Sequence, residues 1–304
     1  MANGLCTFEG GVAIVTGAAS GIGQAVSEAL VLRGCHVVLA DIDLGDAEST
    51  AGQIRERGGR ASARHVDVSR YEDVRKLVNE TVEHQGRIDY LFNNAGIGVT
   101  GEVTDYTMEA WERILGVNLR GVIHGVQCAY PVMIRQGFGH IVNTASMAGL
   151  TTSPGIVSYT TTKHAVVALS QALRAEARGH GIRVSVLCPG VIRTPMLRGG
   201  KHGIFLGPVP EEKQRELGPE FFERLRPMSP SVFARKVLDQ VARNKGIIIV
   251  PSWWRVWWWL ERSSPALALF LARKIFERNR ELLLQWAPPR SAGNSSEAPS
   301  NAPR

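Results

Sequence analysis

Tyr159 and Lys163 stand four residues apart in Tyr159-Thr160-Thr161-Thr162-Lys163, within a stretch that reads as helix, so both side chains fall on one face. A cation beside a phenol favours the phenolate and draws its pKa from roughly 10 toward the working pH, where a general acid or base is most effective. Such a pair can protonate a carbonyl or deprotonate a hydroxyl. Ser146, thirteen residues before Tyr159 and just after an apolar run, can hydrogen-bond the same oxygen. In isolation each has a plainer use. Tyr and Lys at this spacing commonly form a surface pair, and a Ser after a strand commonly caps the next turn.

A second constellation near the N-terminus weighs against the plainer uses. The apolar run Val12–Thr16 leads into Gly17-Ala18-Ala19-Ser20-Gly21-Ile22-Gly23, and residues 24–33 have helical spacing. Glycines in such a turn let the backbone approach a pyrophosphate, and the helix N-terminus offers it unpaired N–H groups and partial positive charge. About twenty residues on, Asp41 ends the second apolar run, where a carboxylate can accept hydrogen bonds from both hydroxyls of an adenosine ribose. The same charge would repel a 2′-phosphate. No Arg or Lys occurs between Gly17 and Gly23, or at Ile42 and Asp43, to offset it. NAD(H) is therefore expected rather than NADP(H).

Taken together, these residues resemble the short-chain dehydrogenase/reductase family over about residues 8 to 250. Thr16 to Gly23 fits its TGxxxGxG pattern, Asn93-Asn94-Ala95-Gly96 its NNAG, and Tyr159 to Lys163 its YxxxK. The resemblance implies a catalytic group of Ser146, Tyr159, Lys163 and Asn118. Lys163 would also hold the nicotinamide ribose, and Asn118 would bind a water that passes protons to solvent. On the cofactor side it implies Gly17, Ser20, Gly21, Ile22, Gly23 and Asp41, with Asp67 and Val68 bordering the adenine. Asn93 is similar to the residue lining the adenosine side, next to Asn94, Ala95 and Gly96. Pro189-Gly190-Val191-Ile192-Arg193-Thr194 looks like the family's PG motif, whose Ile192 backbone and Thr194 hydroxyl would meet the carboxamide. Thr194 is equally placed to cap the next turn. The implied reaction interconverts a secondary alcohol and a ketone, and the implied assembly is a homodimer or homotetramer. A non-catalytic NAD-binding sensor or scaffold of the same fold is the alternative, but such a protein would be expected to have lost Tyr159 or Lys163.

The elements that must position these groups are legible as short Val- and Ile-rich runs alternating with longer helical stretches, the pattern of βαβ units. Strands are expected near Val12–Thr16, His36–Ala40, Ala61–Val66, Ile88–Asn93, His140–Thr144, Arg183–Cys188 and Ile247–Val250. Right-handed crossovers then give an α/β, Rossmann-type, doubly wound parallel sheet of about seven strands, whose ligands lie beyond the strands' carboxyl ends. Residues 1–250 are expected to form one cofactor-binding and catalytic domain. Within it, residues 193–228, with a helical piece at 211–225, would cover the substrate. Met147, Leu150, Pro154, Ile156, Met196, Leu197 and Phe205 surround the expected substrate position and are mostly apolar.

Composition narrows the rest. The formal charge of +7 is concentrated late: from Pro251 on, eight Arg and Lys face four Glu. No nucleic-acid-binding signature accompanies that excess, so no DNA or RNA partner is expected. Cys6, Cys35, Cys128 and Cys188 lie far apart, and no His pairs with them, so neither a metal site nor a disulfide framework is expected. The first residues carry no secretory or transit pattern, which makes a cytoplasmic location the expectation.

Residues 251–286 are unusual, with Ser252-Trp253-Trp254-Arg255-Val256-Trp257-Trp258-Trp259-Leu260 followed by the apolar run 266–272. Charges break these runs before either could span a bilayer. Trp, Leu and Arg together suit peripheral contact with the cytosolic face of a membrane. They suit a subunit interface or packing over the active site as well. All three point to a hydrophobic small-molecule substrate, such as a steroid, terpenoid, retinoid or lipid. Residues 287–304, rich in Pro, Ser, Asn and Ala, are expected to be a disordered tail.

Overall fold

The computed structural model describes residues 5, 7–199, 202–210, 212–213, 216 and 222–286. Seven strands form one parallel sheet: β1 (Val12–Thr16), β2 (His36–Asp41), β3 (Arg60–His65), β4 (Tyr90–Asn93), β6 (Gly139–Thr144), β7 (Ile182–Pro189) and β9 (Ile247–Val250). Their spatial order is β3-β2-β1-β4-β6-β7-β9, which is the expected doubly wound arrangement. The order reverses between β1 and β4, so a crevice opens beyond the carboxyl ends of those two strands.

All five residues of β1 are buried, because helices cover both faces and each face needs its own apolar set. Ala13 and Val15 point to one face and Ile14 to the other, as the two-residue period of a strand requires. Helices α1 (Gly21–Val31), α2 (Leu44–Glu56) and α7 (Pro230–Ala242) pack on the first face, and α3 (Tyr71–Gln85), α5 (Gly121–Gln136) and α6 (Val157–Ala177) on the second. The strand limits fall within one residue of expectation except at the start of the fourth strand. The fourth strand starts at Tyr90 rather than Ile88, because the Gln136 carboxamide brackets Ile88, accepting from its N–H (2.9 Å) and donating to its carbonyl (2.9 Å).

Three features lie outside the sequence-based expectation. A two-stranded parallel sheet joins β5 (Gly98–Thr100) to β8 (Gly203–Phe205), tying the stretch after β4 to the segment expected to cover the substrate. Between α4 (Met108–Leu115) and α5 the chain makes a π-helical turn, Gly116–Arg120, with Asn118 at its centre. Residues 251–286 form two helices, α8 (Arg255–Ser263) and α9 (Pro265–Leu284). Their break is local: Pro265 disfavours helical backbone at the residue before it, and Ser264 is extended (φ −147°, ψ 77°). Among the described residues no helix is long and apolar enough to cross a membrane. Residues 287–304, Cys6 and part of the helical piece expected at 211–225 lie outside the described residues.

His140, on β6, is fully enclosed and joined through Nε2 to the Ser185 hydroxyl at 2.8 Å. Burial, helped by Arg183 and Arg174, lowers its pKa to about 3. The unfolded imidazole titrates near 6.5, so the unfolded state binds more protons between those values and stability falls as the pH drops below 6.5. Urea unfolding between pH 6.5 and 5 should lose stability by up to about 1.4 kcal/mol per pH unit from this group. His140→Gln should flatten that slope by the same amount.

Candidate active site

The end of β1 is stitched to the end of β4. The Thr16 hydroxyl accepts from the N–H groups of Asn94 (3.0 Å) and Ala95 (3.1 Å) and donates to the Phe92 carbonyl (3.4 Å). The Asn94 carboxamide returns the link, donating to the carbonyls of Thr16 (3.0 Å) and Gly17 (3.3 Å). The glycine turn must bend tightly against this pair. Gly17 has φ +65°, and a Cβ there would lie 2.7 Å from the Ala95 Cα; one at Gly23 would lie 1.9 Å from the Gly17 carbonyl oxygen. Asp41, at the end of β2, holds the turn from the other side, its Oδ2 accepting from the Ala19 N–H at 2.9 Å and its Oδ1 from the Asp43 N–H at 3.0 Å.

This turn opens into a continuous cavity of about 1470 Å³. Small-molecule sites commonly measure ~300–1,000 Å³, so there is room for a dinucleotide and a second molecule. Gly17, Ser20, Gly21, Ile22, Asp41, Asp67, Val68, Asn94, Ala95, Gly96, Pro189, Gly190, Ile192 and Thr194 all line it, as do Ser146, Tyr159 and Lys163. Gly23 and Asn118 do not: Gly23 packs under the turn, and Asn118 is wholly buried. The backbone cradle at α1, with no room for a side chain at Gly17 or Gly23, fits a pyrophosphate, and Asp41 beyond it fits a ribose diol.

Asn93 is a correction. Its side chain turns away from the cavity, donating to Asn143 Oδ1 at 2.9 Å, and Gly125 of α5 leaves the space it occupies. Asn94 is the member of the pair on the cavity wall. The cap alternative for Thr194 fails too, since its side chain makes no capping bond and instead lies against Gly21. Ser146 does cap its short helical turn, accepting from the Ala148 N–H at 3.2 Å.

Helix α6 carries Tyr159 and Lys163 to the cavity. Lys163 Nζ donates to the Thr144 carbonyl at 2.9 Å and lies 5.5 Å from the centre of the Tyr159 ring. Its surroundings run opposite to the simple expectation of a phenol drawn down by its lysine. Burial pushes the Tyr159 phenol up, opposed by a hydrogen bond with Ser146. Burial also lowers Lys163 to about 8, so the lysine stays mainly charged at neutrality and gives up its proton just above it. Asn118 is not free to offer its side chain to water, because its carboxamide pairs with both the N–H (2.8 Å) and the carbonyl (2.9 Å) of Ile97. The π turn around it shifts the local hydrogen bonds to five-residue spacing, as in the Gly121 N–H bond to the Gly116 carbonyl. Such bulges recur at functional sites.

Of the seven residues expected around the substrate, Met147, Pro154, Ile156, Met196, Leu197 and Phe205 line the cavity; Leu150 packs into the core beneath it. The far wall is built from residues 251–286, so packing over the active site, one of the three uses expected for that segment, is present. Trp253, Trp254 and Trp257 line it, as do Ala268, Ala272, Ile275, Phe276 and Asn279 along one stripe of α9. Their helical spacing was readable, but not which of the three uses they would serve. Arg280 to Glu102 (2.6 Å) and Thr152 to Glu261 (2.6 Å) join these helices to the body, and Phe276 rests on Gly155. The Trp254 indole lies so close to Gly190 that a Cβ there would meet Nε1 at 2.0 Å.

A parallel sheet with a glycine turn at its switch point, and a serine, tyrosine and lysine gathered around one cavity, define a dinucleotide-binding oxidoreductase fold. Residues 11–203 match the family model for short chain dehydrogenases, and the chain belongs to that family. It is similar to the meso-2,3-butanediol dehydrogenase of Serratia marcescens, with 38% identity over 192 residues that cover 63% of this chain and 75% of the relative. The cyclohexanol dehydrogenase of an Acinetobacter species is 37% identical over 191 residues, 62% of this chain and 76% of the relative. Among solved structures, a short-chain dehydrogenase/reductase from Burkholderia phymatum in complex with NAD superimposes with a TM-score of 0.71 at 28% identity, covering 95% of this chain and all of that one.

The tightest contact makes a direct test. Gly23→Ala places a methyl against a backbone oxygen, and overpacking of that kind commonly costs about 1–3 kcal/mol. Dinucleotide affinity, read by calorimetry, should fall by about 10–100-fold with the loop displaced.

Proposed function

We propose that this protein interconverts a secondary alcohol and a ketone on a bulky hydrophobic molecule, using NAD(H). The observation that carries the reading is the convergence of Ser146, Tyr159 and Lys163 on the cavity that begins at the glycine turn. NAD(H), when bound, supplies the hydride donor or acceptor. Ser146 and Tyr159 bind the substrate oxygen between their hydroxyls. Tyr159 gives that oxygen a proton during reduction and removes one during oxidation. Lys163, anchored on Thr144, keeps a positive charge over the tyrosine ring and fixes the nicotinamide ribose. Asn118, its carboxamide held by Ile97, serves to fix the π turn and carries no proton itself.

Asp41 supports NAD(H) over NADP(H), since its carboxylate lines the cavity where a 2′-phosphate would sit. The solved relative holding NAD is consistent with that choice. Butanediol and cyclohexanol, named for two relatives, are both secondary alcohols. A bulky apolar substrate is supported by a far wall of Trp253, Trp257, Ile275 and Phe276 facing Met196 and Phe205. The reading also carries a cytosolic placement and the family's usual homodimer or homotetramer.

A panel of hydrophobic secondary alcohols, followed by NADH absorbance, should identify a substrate. Tyr159→Phe should lower kcat by at least about 100-fold, with NAD affinity changed little; turnover that survives the substitution removes the mechanism. NAD binding with no turnover of any alcohol or ketone would favour a sensor. Because burial raises the Tyr159 phenol, its scarce basic form grows with pH while its acid form stays nearly full, so alcohol oxidation should accelerate from pH 7 to 9 while ketone reduction changes little. In Asp41→Ser, the preference for NAD over NADP should shrink by about tenfold or more, measured as a ratio of kcat/KM values.

A further inference from the structure

Helices α8 and α9 turn one side to the cavity and leave another bare. The inward stripe of Ala268, Ala272 and Phe276 is accounted for by the cavity and Gly155. The outward side carries Val256 at 70% exposure, Trp259 at 64%, Leu269 at 59% and Phe270 at 49%. A contiguous exposed patch of large apolar side chains on a water-soluble face usually has an occupant. Basic side chains border it: Arg255 and Arg262 flank Trp259 on α8, and Arg273 and Lys274 follow Phe270 on α9, all exposed. Glu261 does not offset them on this side, because it turns inward to Thr152, and the single Glu277, paired with both Arg273 (3.5 Å) and Lys274 (3.2 Å), offsets one of those two charges and leaves the border positive.

We propose that this outer face docks on an anionic lipid bilayer. Trp259, Val256, Leu269 and Phe270 would enter the headgroup and upper acyl region, with Arg255, Arg262, Arg273 and Lys274 meeting lipid phosphates. The charge selects this occupant over a second copy of the chain. A two-fold interface sets the same patch against itself, so each arginine would face a like-charged patch while losing water. A negatively charged layer matches both the apolar centre and the basic border. The docked helices are those that wall the cavity, so docking would bring that wall to the lipid surface. Taking a lipophilic substrate from that layer rests on the function proposed above; the docking itself does not.

Flotation of the full chain with phosphatidylcholine vesicles, with and without phosphatidylglycerol, separates the outcomes. The expected result is binding to the anionic vesicles that is weak on the neutral ones and lost in high salt. The double variant Trp259→Ser, Phe270→Ser should reduce that binding about tenfold or more, and Arg255→Gln with Arg262→Gln by a similar factor. None of these four residues lines the cavity, so NADH formation from a small water-soluble alcohol such as cyclohexanol serves as the check of folding. Equal binding to both vesicles, binding unchanged by the substitutions, or a dimer in gel filtration that they dissociate would overturn the proposal. An absence of alcohol turnover, with vesicle binding as expected, would count against the proposed function alone, and circular dichroism would then check folding.

Discussion

One hydroxyl holds the working end of this protein in shape. Thr16 Oγ uses its donor and both acceptor sites to bind β4 and the turn after it to the end of β1. The glycine turn, the Asn94 carboxamide and the Asp41 carboxylate are all referenced to that knot. A cofactor cleft at a sheet's switch point is only as well defined as the two strand ends that diverge there. Here those ends are locked by side chains as well as by the ladder.

A second polar chain sets α6. Asn93 donates to Asn143, Asn143 donates to the Ser170 hydroxyl, and Ser170 donates to the Val166 carbonyl, all in the buried interior. Buried polar groups are costly unless paired, so this line of bonds permits few alternative settings of α6 against β4 and β6. Tyr159 and Lys163 ride on that helix, and Thr144, one residue beyond Asn143, receives the lysine. Asn93 thus belongs to the frame that aims Tyr159 and Lys163 rather than to the wall of the cavity.

Most of the sheet was readable because strands buried on both faces are written as continuous apolar runs, and all seven expected strands are present, including the edge strand β3, which alternates buried alanines with polar residues. The cavity-lining positions were readable where a motif fixed them to strand ends, as at Asp41, Ser146 and Gly190. Local pattern did not reveal features decided by distant contacts. The strands Gly98–Thr100 and Gly203–Phe205 are too short to signal themselves and exist because they meet each other. The π turn at Asn118 follows from how α4 and α5 join. The Tyr159 phenol shifts upward because its enclosure outweighs what its lysine neighbour suggests from sequence alone. For residues 251–286 the composition allowed packing over the active site as one of three uses, and what settles the inward stripe is contact with distant residues such as Glu102, Thr152 and Gly155.

That arrangement divides the chain's labour by position. The groups that would handle hydride and proton come before residue 200, whereas one wall of the same cavity, which would meet the rest of a substrate, comes after residue 250. Changing Ala268 or Ala272 to a larger side chain, or shifting the phase of α9 by one residue, alters the volume and outline of the chamber while leaving α6 on its own hydrogen bonds. Selectivity can therefore diverge between descendants of such a protein by drift in one terminal hairpin, with the chemistry inherited intact.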